Sequence, residues 1–394
     1  MTLKSKNIVL FLFGLFSLFN IFLIDFKIGF VNFRYLIFFS LIIVTFFLYG
    51  QKILSSKNIK FFIKVWCIAG LLLFYSLIIK GNLVSNAMWF INPYLVFLLI
   101  PVFNVLFSEF SPKKIIKLFV VQVYLLSFYF LFIAFCLLYK PDIAIYFSEN
   151  HDLTKFTIQQ SGFPRIFIKT CSFFIPALLY HFIYHKSILI KSLLITLTLI
   201  QIFLLFTYGL FFGVFVVIML YYFYKKKYIL FITVTSAVLL TSLFVFTNRE
   251  NLVEKSKLYS IDTKISQFEK GLEKSSISSL FFGDGIGAVI KDLDSRNLKE
   301  DFVIEVAPVM LYVVGGIFGS LLLLYIYLWH PIKGFFLSCK INNNDLAFLS
   351  ISQLGIIIAS FTNPYVWSGG MGIFLITMII SLNHNLNLNE TKIK

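Results

Sequence analysis

Residues 247–305 read TNRENLVEKSKLYSIDTKISQFEKGLEKSSISSLFFGDGIGAVIKDLDSRNLKEDFVIE, and this stretch decides how the rest of the chain is arranged. Its 59 residues hold 20 of the chain's 52 Lys, Arg, Asp and Glu side chains. A charged side chain at the centre of a bilayer costs at least ~3 kcal/mol. The stretch therefore predicts a large water-facing loop between two groups of membrane-spanning helices.

The remainder of the 394 residues is strongly apolar: the whole chain is 59% hydrophobic and 13% charged, with a mean hydropathy of +0.90. A soluble domain carries roughly twice that share of charged residues. The composition predicts an all-α polytopic membrane protein that forms a single transmembrane domain over residues 1–394. The net charge of +16 does not indicate nucleic acid, because most lysines stand in short clusters between apolar runs. The 51 phenylalanines are interpreted as lipid-facing bulk.

Apolar runs of about 17 to 25 residues are long enough to cross the hydrocarbon core as helices. Twelve such runs are predicted to span the membrane, at about 7–24, 30–50, 61–80, 87–107, 115–138, 165–185, 187–206, 208–224, 228–246, 304–329, 346–361 and 367–383. With the N-terminus inside, the inside segments hold 18 Lys and Arg, and the five shorter outside connections hold 7. Cytoplasmic loops are enriched in these residues, so both termini are predicted to be cytoplasmic and 247–305 to be outside.

Two outside connections are long enough to form a site. The first covers 139–164, and the second is the charged stretch 247–305. In the second, Leu258, Ile261, Ile265, Phe268 and Leu272 recur every three or four residues among charged side chains. This spacing predicts an amphipathic helix that lies on the membrane surface or against the helix bundle.

Arg165 and Lys169 stand four residues apart at the outer end of the sixth predicted span, so a helix would present both cations on one face. An arginine fork suits a diphosphate, and a lysine adds a second positive charge. The alternative is that both side chains snorkel to the interface. All four arginines, which include Arg249 and Arg296, fall on the predicted outer side, and this favours a site that handles anions there.

Glu305 begins the tenth predicted span and is followed by an almost wholly apolar run. Burial raises the pKa of a carboxyl group toward the range of a general base. The alternative is an acid at a helix N-terminus that interacts with the macrodipole.

The run from Gly283 through Asp284 to Gly287 resembles half of a nucleotide-binding fingerprint, but the strand and βαβ unit that such a motif needs are missing from the pattern. It is interpreted as a tight turn where backbones approach closely, or as the floor of an active site. His151 and Asp152 could act as a base and its orienting partner, or be solvated loop residues.

Several short motifs, taken in order, resemble the bacterial O-antigen polymerases (Wzy type) and the related O-antigen ligases. They are Ser161 to Phe167, Leu280 to Gly287, Glu305 with the later Leu311 to Gly319, and Thr362 to Pro364. The resemblance covers the whole chain as architecture: ten to fourteen spans, cytoplasmic ends and one dominant periplasmic loop in the second half. A Ser-Arg pair found in many relatives is replaced here by Phe206, Thr207, Tyr208 and Gly209.

The resemblance implies a glycosyltransferase of the bacterial inner membrane that needs no metal or other cofactor. It would join oligosaccharide repeat units carried on undecaprenyl diphosphate into O-antigen or capsular polysaccharide, on the periplasmic face. A chain-length regulator and a flippase of the same pathway are possible partners. Under this reading Glu305 and Arg165 are catalytic, and the substrate-binding residues are Lys169, Arg296, Arg249, Asp284 and His151. The alternatives are a flippase for lipid-linked oligosaccharides or another twelve-span transporter, an O-antigen ligase and a membrane scaffold.

Overall fold

The computed structural model describes residues 3–22, 27–28, 31–54, 59–150, 154–158, 164–168, 170–205, 208–236, 255–273, 276–289, 307–361, 374–383 and 386, and structural statements below concern these residues. Almost all of them are helical, as the composition predicts. The helices are α1 (Leu3–Ile21), α2 (Phe33–Leu54), α3 (Ile59–Phe74), α4 (Val84–Ile91), α5 (Ile100–Glu109), α6 (Pro112–Tyr139), α7 (Pro141–Asn150), α8 (Phe174–Tyr184), α9 (Ile188–Leu205), α10 (Tyr208–Tyr224), α11 (228–236), α12 (Lys255–Leu272), α13 (Ile277–Phe282), α14 (Ala307–Ile341), α15 (Asn344–Ala359) and α16 (Phe374–Asn383).

Three helical segments of the described chain, 33–53, 112–139 and 308–341, are long and apolar enough to cross a membrane, and shorter apolar helices accompany them. This indicates a membrane location. Each of the twelve predicted spans contains a helix, although the crossing of all twelve stays a prediction. Short non-α turns extend some helices: a π-helical turn at Tyr75–Ile79 continues α3, and a 3₁₀ segment at Asn92–Leu99 joins α4 to α5.

Two antiparallel hairpins depart from the all-α prediction. Strands β1 (Lys27–Ile28) and β2 (Val31–Asn32) form the first, and β3 (Thr154–Ile158) and β4 (Pro164–Ile168) form the second. Strands β3 and β4 are rich in Ile, Phe and Thr, which favour extended backbone, and Pro164 stands at the start of a strand, where its missing N–H is tolerated.

The core contains many of the phenylalanines, so their interpretation as lipid-facing bulk was wrong in part. Phe374 of α16 lies between three other rings: its centroid is 6.0 Å from Phe13, 5.4 Å from Phe103 and 5.8 Å from Phe119. These rings belong to α1, α5 and α6, and all four are buried. Helices α1, α5, α6 and α16 therefore share one aromatic core, where flat rings fill the space between helices.

Contacts between helix ends fit the predicted alternation across the membrane. Glu109 forms ion pairs with Lys6 and Lys52. The three residues belong to three different segments, all of which are predicted to lie inside from the distribution of lysines. At ends assigned to the outside, the Thr170 hydroxyl donates to the Ile21 carbonyl at 2.9 Å. Ends assigned to the same side thus meet one another.

Candidate functional site

The structure describes part of the predicted site. His151, Lys169, Arg249, Arg296 and Glu305 lie outside the described residues. Asp284 lies in a turn whose contacts are described.

The backbone at Arg165 corrects a prediction. Residues 164–168 form strand β4, in which Arg165 pairs with Thr157, whereas a helix was predicted to begin there. The helical part of this region starts later, with a 3₁₀ turn at Cys171–Phe173 and then α8. Residues 164–168 are extended, so the argument that one helix face presents Arg165 and Lys169 together no longer applies.

The helix predicted in the charged stretch is confirmed as α12, and it faces the bundle with its small and polar residues. Thr263, Gln267 and Gly271 form its buried stripe, and Gly271 approaches Val309 of α14. The apolar stripe does not face the bundle: Ile265, Phe268 and Leu272 are each more than 40% exposed. Glu269, at the edge of this apolar stripe, and Glu273, which follows α12, are also exposed. Helix α12 therefore packs on the bundle through small and polar residues and leaves its apolar stripe exposed.

After α12 the chain forms the short helix α13 and then the turn at residues 283–287, which we call the glycine turn. Ser276 caps α13, since its hydroxyl oxygen accepts a hydrogen bond from the Ser279 N–H at 3.1 Å. Gly283 has a φ of 75°, which side-chain-bearing residues rarely adopt. The prediction of a tight turn with close backbone approach is confirmed.

The glycine turn is docked into an interruption of α14. Gly316 breaks this helix with φ 58° and ψ −156°. Just before the break, the Val313 carbonyl accepts from the Asp284 N–H at 2.8 Å, and the Val314 carbonyl accepts from the Gly285 N–H at 3.1 Å. Irregular backbone at membrane depth is stable only when its polar groups are paired within the protein. The turn and the broken helix supply those partners to each other.

A second wall of the site is the segment 75–82, which follows α3. The Tyr75 hydroxyl donates to the Gly283 carbonyl at 3.0 Å, and the Ser76 hydroxyl oxygen accepts from the Ile286 N–H at 2.6 Å. The Asn82 side-chain amide donates to the Asp284 and Ile286 carbonyls, at 2.9 and 3.2 Å. Sequence reasoning missed these residues; their signal was a group of polar side chains at the end of an apolar run.

The same segment supplies a cation to the glycine turn. The Lys80 ammonium lies 3.7 Å from the Asp284 carboxylate and 3.4 Å from the Ser279 hydroxyl, which itself donates to Asp284 at 2.5 Å. The Lys80 side chain is 23% exposed and that of Asp284 37% exposed. A cation and a carboxylate therefore stand side by side, both partly exposed, near the ends of α3 and α14 that are predicted to lie outside.

This arrangement can neutralise an anion at Lys80 and accept a hydroxyl proton at Asp284. Among the residues that the structure describes, no group of three or more His, Cys, Asp or Glu side chains is placed to hold a metal ion.

Comparison of the chain with protein-family models, with curated proteins and with solved structures finds no match.

Proposed function

We propose that this protein is a glycosyltransferase that joins undecaprenyl-diphosphate-linked oligosaccharide repeat units into O-antigen or a capsular polysaccharide, on the outer face of the bacterial inner membrane. The observation that supports it best is the position of Asp284. This residue belongs to the charged stretch, yet its turn is inserted between the end of α3 and the break in α14, beside Lys80. With the predicted topology, a polar site at this position would border both the water phase and the lipid.

The proposed reaction needs a base and a cation. The hydroxyl of the acceptor sugar attacks the anomeric carbon of the donor glycan. The bond between that carbon and the diphosphate oxygen breaks, and its electron pair leaves with undecaprenyl diphosphate. The hydroxyl proton passes to a carboxylate. Fixed positive charge near the departing oxygen lowers the energy of the transition state, because the charge develops there.

The residues are assigned to these roles as follows. Lys80 joins Arg165 and Lys169 as a cation for the departing diphosphate. Glu305 is the proposed base, and Asp284 either supports it or takes the proton itself. Arg249, Arg296 and His151 are proposed to bind the sugars or the diphosphate from the loops.

The lipid part of the substrate also has a proposed place. Besides the stripe of α12, α13 has exposed apolar side chains, including Phe281 and Phe282, whose rings pack 5.6 Å from the ring of Phe318 in α14. Apolar surface of this kind, next to a polar site, suits a polyprenyl chain that stays in the membrane while its diphosphate reaches Lys80.

The test is the lipopolysaccharide and capsule profile of a strain that lacks the gene for this chain. The proposal expects surface glycans capped with a single repeat unit in place of a ladder, and restoration of the ladder by the wild-type chain. Two other outcomes contradict it. Complete loss of repeat units at the surface indicates a flippase, and long chains that stay on undecaprenyl diphosphate indicate a ligase.

A further inference from the structure

Three lysines converge at the end of the bundle opposite the glycine turn. Lys191 lies in the first turn of α9, and Lys225 and Lys227 follow α10. The Lys191 ammonium donates to the Phe182 carbonyl at 3.1 Å and lies 5.8 Å from the centre of the Tyr221 ring. The Lys225 ammonium donates to the Asn344 side-chain oxygen at 3.1 Å and lies 4.6 Å from the centre of the Tyr224 ring.

The backbone between α10 and α11 holds two of these lysines in place. Lys226 adopts a φ of 57°, its N–H donates to the Phe223 carbonyl, and the Lys227 N–H donates to the Tyr222 carbonyl, both at 2.9 Å. This pattern is a Schellman motif, in which glycine is the usual residue at the left-handed position. Here lysine occupies the left-handed position, so the turn retains a third positive charge at some conformational cost.

Lys191 lies close enough to both Lys225 and Lys227 for their like charges to repel. Burial and the nearby charge of Lys191 lower the pKa of Lys225. Within the described part of the chain, none of the three pairs with a carboxylate. At this end Asp345 accepts a hydrogen bond from the Tyr184 hydroxyl, and Glu109 is paired with Lys6 and Lys52.

The preference of lysine for the cytoplasmic side explains the presence of these residues but not their convergence. Lys191 stands at the N-terminal end of α9, where the helix dipole is positive and disfavours a cation. An anion that touched all three groups would turn this repulsion into attraction. Ile188, Leu189 and Ile229, beside the cluster, are each more than 75% exposed and present apolar surface to acyl chains.

We propose that Lys191, Lys225 and Lys227 bind the phosphate headgroup of an anionic membrane lipid, whose acyl chains lie along the exposed side chains of α9 and α11. Basic pockets between helices at the cytoplasmic end are suited to such headgroups, and each lysine near a charged surface changes affinity by roughly fivefold.

The test measures lipid binding by the purified full chain in detergent, by native mass spectrometry with phosphatidylglycerol, cardiolipin and phosphatidylcholine. We expect both anionic lipids to be retained and phosphatidylcholine to be lost. The double variant Lys191→Gln/Lys225→Gln should bind the anionic lipids about 25-fold more weakly, at roughly fivefold for each lysine. The matched control is Lys333→Gln/Lys340→Gln, which removes two exposed lysines of α14 from the same end and should change binding little.

Lys227→Gln provides a second variant should the double variant fold poorly, because Lys227 is exposed and its removal should weaken binding about fivefold. The thermal unfolding midpoint of each variant with phosphatidylcholine alone reports folding. Equal losses in the test and control variants would show a diffuse charge effect and overturn the proposed site. So would binding of inorganic phosphate that matches that of the lipid, since the ligand would then be a soluble anion.

Discussion

Gly283 and Gly316 meet backbone to backbone: a Cβ built on Gly316 would lie 2.5 Å from the Gly283 nitrogen, and a Cβ built on Gly283 would lie 2.6 Å from the Gly316 nitrogen. Neither position has room for a side chain, and both have positive φ. The glycine turn and the break in α14 therefore depend on each other, and the contact fixes Asp284 next to Lys80.

Alanine at Gly316 or Gly283 should destabilise the protein. Both glycines combine a positive φ with an extended ψ, which costs an L residue about 1–3 kcal/mol, and the overlap with the facing backbone adds to this cost. The measurement is the thermal unfolding midpoint in detergent. Gly70→Ala is the control, since Gly70 lies in α3 with open space around it, and alanine there should be neutral or slightly stabilising. Unchanged midpoints for both Gly283→Ala and Gly316→Ala would contradict the backbone contact.

Lys80→Ala should reduce polymerisation strongly if the proposed function is correct. Removal of one fixed group that stabilises developing charge typically lowers a rate about 100-fold or more. The measurement is the length of the glycan ladder in a complemented deletion strain, at equal amounts of membrane-inserted protein.

Lys64→Ala is the matched control for Lys80, because Lys64 is an exposed lysine of the same helical segment. This control should give a normal ladder. A normal ladder with Lys80→Ala at wild-type protein level would show that Lys80 has no role in the reaction. The proposed function itself would still be supported if the deletion strain made glycans with a single repeat unit.

The exposed apolar stripe of α12 should contact lipid. A tryptophan at position 268 should be quenched by lipids with brominated acyl chains, since Phe268 is 48% exposed on that stripe. A tryptophan in place of Glu269, a charged residue at the edge of that stripe, should be quenched less. The fluorescence of the native tryptophans is subtracted with the unsubstituted chain. Equal quenching at the two positions would contradict the orientation of α12.

Glu109 should make the stability of the protein depend on pH in the acidic range. Hydrogen bonds from Lys52 and then Lys6 hold the pKa of its carboxyl below the ordinary value. A group whose folded pKa is lowered contributes stability above its unfolded pKa, and this contribution disappears as the pH falls through the folded pKa. The difference in unfolding midpoint between wild type and Glu109→Gln should therefore be constant near neutral pH and shrink below about pH 4. A difference that does not change with pH would contradict the ion pairs.

The sequence predicted local structure well where the pattern was long. Apolar runs located a helix in each predicted span, and the spacing from Leu258 to Leu272 located α12. It failed at Arg165, where a short apolar stretch fits strand and helix equally and pairing with residues 154–158 decides between them. It also counted Lys80 only toward the orientation and did not select it as a site residue, because one lysine at the end of an apolar run looks like an ordinary interface residue.

By itself, the sequence determined the helical membrane character of the chain and the position of the charged stretch, because both follow from the transfer of local side chains between water and hydrocarbon. Only the tertiary structure decided that Asp284 lies beside Lys80, some 200 residues earlier, and that α12 packs through its polar stripe. These features depend on contacts between distant segments. The break at Gly316 leaves space that the folded glycine turn occupies, and it leaves backbone carbonyl groups to which the turn donates hydrogen bonds.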